Sequence, residues 1–340
     1  MEKTIGAFTE SAYKDALRGN LQRVNNSGAT QTGLEATITT LTDIISGVVD
    51  KKYYELSGQK LSDFVKIEVG KGAYSTKLLQ YAVQYVGNSG KQGIINPSSN
   101  GVNKDANSSI QIGTLTLHNN FWRWNYEVSN ELIRMGERNP ETFSIIEENE
   151  KARKKIWDLM LQESFFLGLG DGVSFGILNQ PSVTIDTTIM TAELSAMTDQ
   201  QFGEFIAKVG GAYGANANYA INFNKLLIPT AEYLSLTQPY GQYGLNRLQV
   251  LEDALKRVAG ADFKIVHAKY ATGASAQGAG KGRYVLYNDD ADNLCAYLPV
   301  PYTPMPLFPQ GSLDLISQAH GQFVTPYAKR TNSMLYMDVQ

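Results

Sequence analysis

Residues 138–181 read RNPETFSIIEENEKARKKIWDLMLQESFFLGLGDGVSFGILNQP. Asn139 stands where a helix N-cap belongs, Pro140 at the first helical position, Glu141 in the first turn and Gly168 just past the end. Between these signals Ile145, Ala152, Ile156, Trp157, Met160 and Leu161 recur at helical spacing. Glu147 with Lys151 and Glu150 with Lys154 set the acid four residues before the base, the favourable order along a helix. The stretch predicts one helix over 139–168, about 40 Å long at 1.5 Å per residue.

The glycines that follow, Gly168, Gly170, Gly172 and Gly176, raise the question of a phosphate cradle. A dinucleotide fingerprint needs its glycines between a strand and the start of a helix, so that helix N-terminal amides face the pyrophosphate. Here they follow a helix C-terminus, whose dipole repels anions. The Gly-Lys-Ser/Thr ending of a P-loop is also missing. A helix stop followed by a chain reversal is the reading that remains.

Upstream, residues 1–60 mix short amphipathic pieces with turns and read as an arm. From Lys66 the pattern becomes strand-like, with LLQYAVQYVG (78–87) rich in β-branched and aromatic residues. The polar stretch 88–109, NSGKQGIINPSSNGVNKDANSS, reads as a loop tip. Alternation resumes over 109–129, with Ile110 and Ile112 on one face, then Leu115 and Leu117 after a shift at Gly113. The two halves predict one long hairpin. An isolated two-stranded ribbon is marginal in water and leaves both backbone edges unpaired, so a neighbouring subunit is expected to cover it.

Downstream, strands alternate with helices from about residue 196. Thr198 and Gln201 have capping-box spacing at the start of TDQQFGEFIAKVGGAYG. NKLLIP, FKIVHAK, RYVLYN and LCAYLP read as buried strands, with helices at TAEYLSL and NRLQVLEDALKRVAG. After the proline-rich PVPYTPMPLFP (299–309), LDLISQ, GQFVT and MLYMDV read as short terminal strands.

The 340-residue chain is 43% hydrophobic and 19% charged, with a formal net charge of -3, so no global attraction to nucleic acid or anionic membrane is expected. The N-terminal stretch lacks the pattern of a secretory signal, and no apolar run reaches the ~20 residues of a membrane span. Cys295, the single cysteine, sits in the apolar NLCAYLPV and reads as a buried thiol. His118, His267 and His320 are far apart and lack metal-ligand spacing, and the acidic YNDDADN (287–293) misses the calcium-loop pattern. No catalytic, cofactor-binding or metal-ligating residue is nominated, and no cofactor is expected. Two stretches keep two readings each. KARKK (151–155) either meets nucleic-acid phosphate or forms a salt-laced helix face. FWRWNY (121–126) either stacks on bases or anchors the root of the hairpin.

In order, an arm, an extended hairpin, a long helix, an α/β unit and returning strands resemble the major capsid proteins of tailed bacteriophages, whose Hong Kong 97-type fold also builds encapsulin shells. Two blocks carry the likeness. WNYEVSNELIRMGERNP (124–140), the helix and GDGVSFGILNQPSV (170–183) are similar to the family's spine helix, glycine turn and Gly-(Ile/Leu)-Leu-Asn-x-Pro segment. RYVLYNDDADNLCAYLPVPYTPMPLFPQGSLDL (283–315) is similar to its tyrosine-bearing strand, acidic turn and proline-rich crossing. Ala291 replaces an expected proline, and HGQFVTP (320–326) replaces a glycine pair.

The resemblance implies an α+β fold divided into an N-terminal arm (1–60), an extended hairpin loop and its root (61–120), a peripheral domain with the spine helix (121–195), an α/β axial domain (196–305) and strands returning to the peripheral domain (306–340). It implies a non-enzymatic subunit that assembles with itself into the pentamers and hexamers of an icosahedral phage head, formed in the host cytoplasm and enclosing double-stranded DNA held by non-specific interior contact. Scaffolding, portal and cement proteins are the further partners, and no membrane is involved. The N-terminal region is too short for a fused scaffolding domain, so a separate scaffold or none is expected. Lys151, Arg153, Lys154 and Lys155 on the spine helix would face the interior, and Lys91 and Lys104 sit where some members of the fold form isopeptide cross-links. An encapsulin-like nanocompartment shell and a phage tail or baseplate protein are the alternatives.

Overall fold

The computed structural model describes residues 4–5, 8–9, 54, 56, 59–87, 108–137, 145–239, 246–276, 280–311 and 314–339. The chain forms two compact units, 1–52 with 139–143, and 53–138 with 144–340. In the first, β1 (Thr4–Ile5) pairs antiparallel with β2 (Phe8–Thr9). Everything that follows concerns the second.

The hairpin consists of β4 (Lys77–Gly87) and β5 (Ser108–His118), preceded by the short β3 (Ile67–Val69). Its register runs unbroken from Lys77↔His118 to Gly87↔Ser108, and among the described residues the two strands pair only with each other. No shift occurs at Gly113, which faces Ala82 in ordinary pairing. Ile110 and Ile112 therefore lie on the face opposite Leu115 and Leu117, as the two-residue pleat requires. The tip over 88–107, with Lys91 and Lys104, lies outside the described residues.

β6 (Asn120–Ser129) leads through α1 (Asn130–Glu137) to the long helix α2 (Ile145–Leu167). The expected N-terminal signals Asn139, Pro140 and Glu141 lie outside the described residues; the C-terminal end falls where Gly168 places it. Helix α2 buries Arg153, Trp157, Ser164, Phe165 and Phe166. Its N-terminal half packs on a sheet of order β12-β13-β11-β3, with β6 on the free side of β13. Here β11 is Leu294–Pro304, β12 is Phe308–Gln310 and β13 is Asp314–Ala328.

Two sequence expectations change in this region. LDLISQ and GQFVT are a single fifteen-residue strand, β13, not two. It runs straight through Gly321, where an added Cβ would stand 2.5 Å from the ring of Trp157, so the glycine makes room for the helix to sit on the sheet. LCAYLP is not in the α/β unit but forms β11, paired with β13 and β3. Pro299 and Pro301 cannot donate to a ladder, and each falls within one of the three register shifts between β11 and β13.

The second large sheet has the order β7-β14-β10-β8-β9. Its strands are β7 (Thr184–Asp186), β8 (Lys225–Pro229), β9 (Lys264–Ala268), β10 (Arg283–Tyr287) and β14 (Met334–Asp338). Every residue of β8, β10 and β14 is buried, because both faces of the sheet are covered. Leu226, Ile228, Tyr284, Leu286, Leu335 and Met337 join one core with the helices α3 (Asp199–Asn216), α4 (Thr230–Leu236) and α5 (Arg247–Ala259). The alternate residues Leu227, Val285, Tyr287, Met334 and Tyr336 join a second core with Phe165 and Phe166 of α2. MLYMDV thus completes this sheet, while β13 belongs to the other.

Local signals explain the helices. Thr198 Oγ1 accepts from the Gln201 N–H at 3.3 Å and Gln201 Oε1 accepts from the Thr198 N–H at 2.9 Å, the expected capping box. Phe202, Phe205, Val209 and Tyr213 then bury one stripe of α3. Asn246 caps α5 by accepting from the Gln249 N–H at 2.7 Å, and Gly260 at φ +108 ends it.

Candidate functional site

The glycine turn is built by the end of helix α2. Gly168 takes φ +74, and its N–H donates to Ser164 O at 2.9 Å. Asp171 Oδ1 then accepts from the N–H groups of Val173 (2.9 Å) and Ser174 (2.6 Å), and these bonds hold its carboxyl below the usual range. Returning, Ile177 and Leu178 donate to the carbonyls of Phe165 and Phe166 at 3.0 and 3.1 Å. Asn179 Oδ1 accepts from the Gly176 N–H at 2.5 Å, and its Nδ2 donates to Leu167 O at 2.7 Å. The segment GILN therefore satisfies the last carbonyls of the helix, which would otherwise be orphaned. Its amides are aimed at carbonyls, an arrangement opposite to an anion cradle.

The four glycines divide into two kinds. A Cβ on Gly168 would run into Ser174 O, and one on Gly176 into Phe166 O, so these two permit the close approach of the strands of the turn. Gly170 and Gly172 have φ +71 and +73 but open space around them.

Past the turn, Gln180 locks the chain into both sheets. Its N–H donates to Tyr336 Oη at 2.8 Å, its Nε2 to Pro326 O at 2.7 Å, and its Oε1 accepts from the Ala328 N–H at 3.0 Å. Tyr336 Oη in turn donates to Ile177 O at 2.8 Å, and burial raises its phenol. Arg283 donates from Nη1 to Leu178 O at 2.6 Å and pairs with Asp338. Neither Gln180 nor Gln322 was signalled by the sequence, since an amide carries no spacing rule of its own.

The basic run resolves unevenly. Arg153 does not face outward with Lys151 and Lys154; it is buried, donating to Ser317 O (2.9 Å), Ser317 Oγ (3.0 Å) and Tyr302 Oη (2.9 Å), paired with Glu150, and lying 4.7 Å over the Tyr126 ring. Glu150 is thus taken by Arg153, three residues on, in place of the expected Lys154. Lys151 pairs with Glu148 at 2.7 Å and is exposed, as is Lys154. Burial and the bond to Glu150 push Tyr302 up to about 12.

The aromatic stretch anchors the sheet. Trp122 meets Trp157 edge-on at 5.0 Å, and Trp157 meets Phe323 at 6.0 Å. The root of the hairpin is tied to β13 by Gln322, whose Oε1 accepts from the Tyr74 N–H at 2.7 Å, while Asn119 Nδ2 donates to Ser75 O at 2.7 Å.

The remaining candidates lie apart from one another. In the acidic turn Asp289 pairs with Lys225 at 2.6 Å and accepts from Asn224 Nδ2 at 2.5 Å. His118 faces Lys77 in the hairpin, His267 lies in β9 against Tyr233, and His320 lies in β13 beside Tyr74, so the three are in different sheets. Cys295 is buried, and burial raises its thiol. Among the described residues no group of three His, Cys, Asp or Glu side chains gathers to hold a metal, and no helix is long and apolar enough to cross a membrane.

A long helix on one sheet, a second sheet with three helices, and a lone extended hairpin are the parts of a structural shell subunit with the Hong Kong 97-type fold. The fold is similar to a solved structure titled as the capsid of Myoviridae phage XM1, with a TM-score of 0.72 at 12% identity over 89% of this chain and 98% of that one. It is also similar to the capsid of a native GTA particle, with a TM-score of 0.60 at 10% identity over 92% and 99%. A third similar structure, from Mycobacterium phage Ogopogo, has a TM-score of 0.56 at 10% identity over 92% and 100%. No curated protein sequence matches the chain. The family model described as Major capsid protein matches residues 120–339, and the chain belongs to that family. It is a structural protein of the phage capsid.

Proposed function

We propose that the protein tiles into pentamers and hexamers that close into an icosahedral head around double-stranded DNA, with no enzymatic activity of its own. The observation that carries this is the hairpin: eleven residue pairs of two-stranded ribbon with no third strand among the described residues, in a chain of the capsid family. A ribbon of that kind exchanges its open edges for contacts with an adjacent subunit. Ring contacts are heterologous, one patch meeting a different patch on the neighbour. In this reading the helix-bearing part around β7–β10 and α3–α5 is the axial domain, and the α2 sheet is the peripheral domain. Lys151 and Lys154 face the interior and meet DNA backbone without base specificity, whereas Arg153 is withdrawn into the fold. Assembly takes place in the host cytoplasm, with scaffolding, portal and cement proteins as further partners.

Negative-stain microscopy of the expressed protein tests the reading. Closed shells of uniform diameter are expected; a species that stays monomeric under all assembly conditions overturns it. Particles filled with a protein cargo in place of DNA would instead mark an encapsulin-like compartment, and open tubes a tail protein.

A further inference from the structure

Residues 187–198, which join β7 to α3, form no helix or strand of their own, yet they send Ile189, Met190, Leu194 and Met197 into the core shared with α3, α4 and α5. A carboxyl group fastens their backbone. Glu232 of α4 is buried; its Oε2 accepts from the Ser195 N–H at 2.8 Å and its Oε1 from Ser195 Oγ at 2.7 Å. Glu193, half-buried and two residues earlier in the segment, hydrogen-bonds the same carboxyl group. Two carboxylates offer acceptors and no donor, so this bond exists only while one of the acids keeps its proton.

The groups packed around the pair supply no compensating cation. From β10, Tyr284 brings its phenol, which accepts from the Leu194 N–H at 3.4 Å and hydrogen-bonds Glu232. From α5, Arg247 donates to the carbonyls of Leu194 (3.5 Å) and Met197 (2.9 Å) and pairs with Asp199, at the start of α3, at 2.8 Å. From β9, His267 meets α4 at Thr230 and Tyr233, and Lys269 just beyond lies over the Tyr54 ring. Among the described residues no lysine, arginine or histidine forms an ion pair with Glu193 or Glu232.

We propose that Glu193 and Glu232 hold one proton between them and work as a clasp, which closes the 187–198 segment onto α4 in mild acid and slackens when the proton leaves. The clasp is complete within one subunit, so it goes beyond the shell reading and does not rest on it. Glu193 is the member that moves, being half-buried where Glu232 is sealed in. Once ionised, it is repelled by the carboxylate beside it and turns to water. Burial, with the charge of Glu232, holds the Glu193 carboxyl above the usual range. An acid raised in this way opposes folding when it is ionised. The contribution of the clasp is therefore full below the unfolded value near 4.5 and is lost as pH rises through the higher folded value.

Hydrogen exchange of the unassembled full chain tests the clasp at about pH 8 and about pH 5.5, with rates corrected for the intrinsic effect of pH. The Ser195 N–H, whose partner is the Glu232 carboxyl, is the reporter. In the parent chain the protection of residues 194–197 should rise at least about tenfold on acidification, the factor given by a difference of about one pKa unit between the closed and open segment. Glu193→Gln donates to Glu232 with no proton to lose, so it should show the acid level of protection at both pH values. Glu232→Gln, which can donate to Glu193, should do the same. Glu193→Ala removes the bond and should be weakly protected at both. Protection that is independent of pH in the parent, a pH response in Glu193→Gln equal to that of the parent, or full acid protection in Glu193→Ala each overturn the proposal. None of these results bears on whether subunits close into shells.

Discussion

Arg283 and Asp338 stand directly opposite each other on β10 and β14 and close a two-pronged ion pair, 2.7 and 2.8 Å, with both side chains buried. The guanidinium also lies 4.6 Å over the Tyr336 ring and donates to Leu178 O, so one side chain connects the sheet to the glycine turn. Removing one partner leaves an uncompensated buried charge. Asp338→Ala should cost about 3–5 kcal/mol in urea unfolding of the unassembled subunit. The double substitution Arg283→Met, Asp338→Leu should recover a large part of that loss. A cost below 1 kcal/mol for the single change would show the pair to be open to water.

The two kinds of glycine in the turn separate on substitution. Gly176→Ala drives a Cβ into the backbone of Phe166 and should cost about 3 kcal/mol or more, or prevent folding. Gly170→Ala meets open space and has only the left-handed conformation to oppose it, about 1 kcal/mol. Equal melting temperatures for the two variants would contradict this division.

Arg153 and Lys154 are neighbours in sequence with opposite fates. Arg153→Ala empties a buried site and removes the bonds to Ser317, Tyr302 and Glu150, and should destabilise the subunit by about 2–3 kcal/mol. Lys154→Ala should stay within about 0.5 kcal/mol. In assembled particles the order reverses for DNA: the Lys151→Ala, Lys154→Ala double variant, and not the arginine, should lower the salt dependence of DNA retention.

Acid should act through His267. Its ring is buried, stacked on Tyr233 at 4.2 Å with Nδ1 3.2 Å from Thr230 Oγ1, and burial lowers its pKa from 6.5. The fold therefore prefers the neutral imidazole. Its contribution is complete above the unfolded value near pH 6.5 and is lost as pH falls through the lower folded value. His267→Gln should flatten that part of the melting-temperature profile between pH 8 and 4; an unchanged slope would assign the acid sensitivity to carboxylates instead.

Much of this architecture was legible because it rests on short-range signals. The stop at Gly168, the capping box of Thr198 and Gln201, and the strands Lys225–Pro229, Lys264–Ala268 and Arg283–Tyr287 each follow from neighbours within a few residues. The misreadings have one cause, long-range pairing. Gly321 looks like a strand break until Trp157 is seen to fill the place of its side chain. Arg153 reads as one more surface cation, because its partners Tyr302 and Ser317 lie about 150 residues away. LCAYLP was grouped with the preceding strands by proximity in sequence, whereas β13 and β3 draw it into the other sheet. The amide anchors Gln180 and Gln322 had no sequence signal at all.

The strand Met334–Asp338 lies between the short edge strand β7 and β10, and sends Leu335 and Met337 into one core and Met334 and Tyr336 into the other. Neither core can close until translation has passed residue 338. A chain ending before Met334 would leave β7 without its partner strand and both cores open along β10.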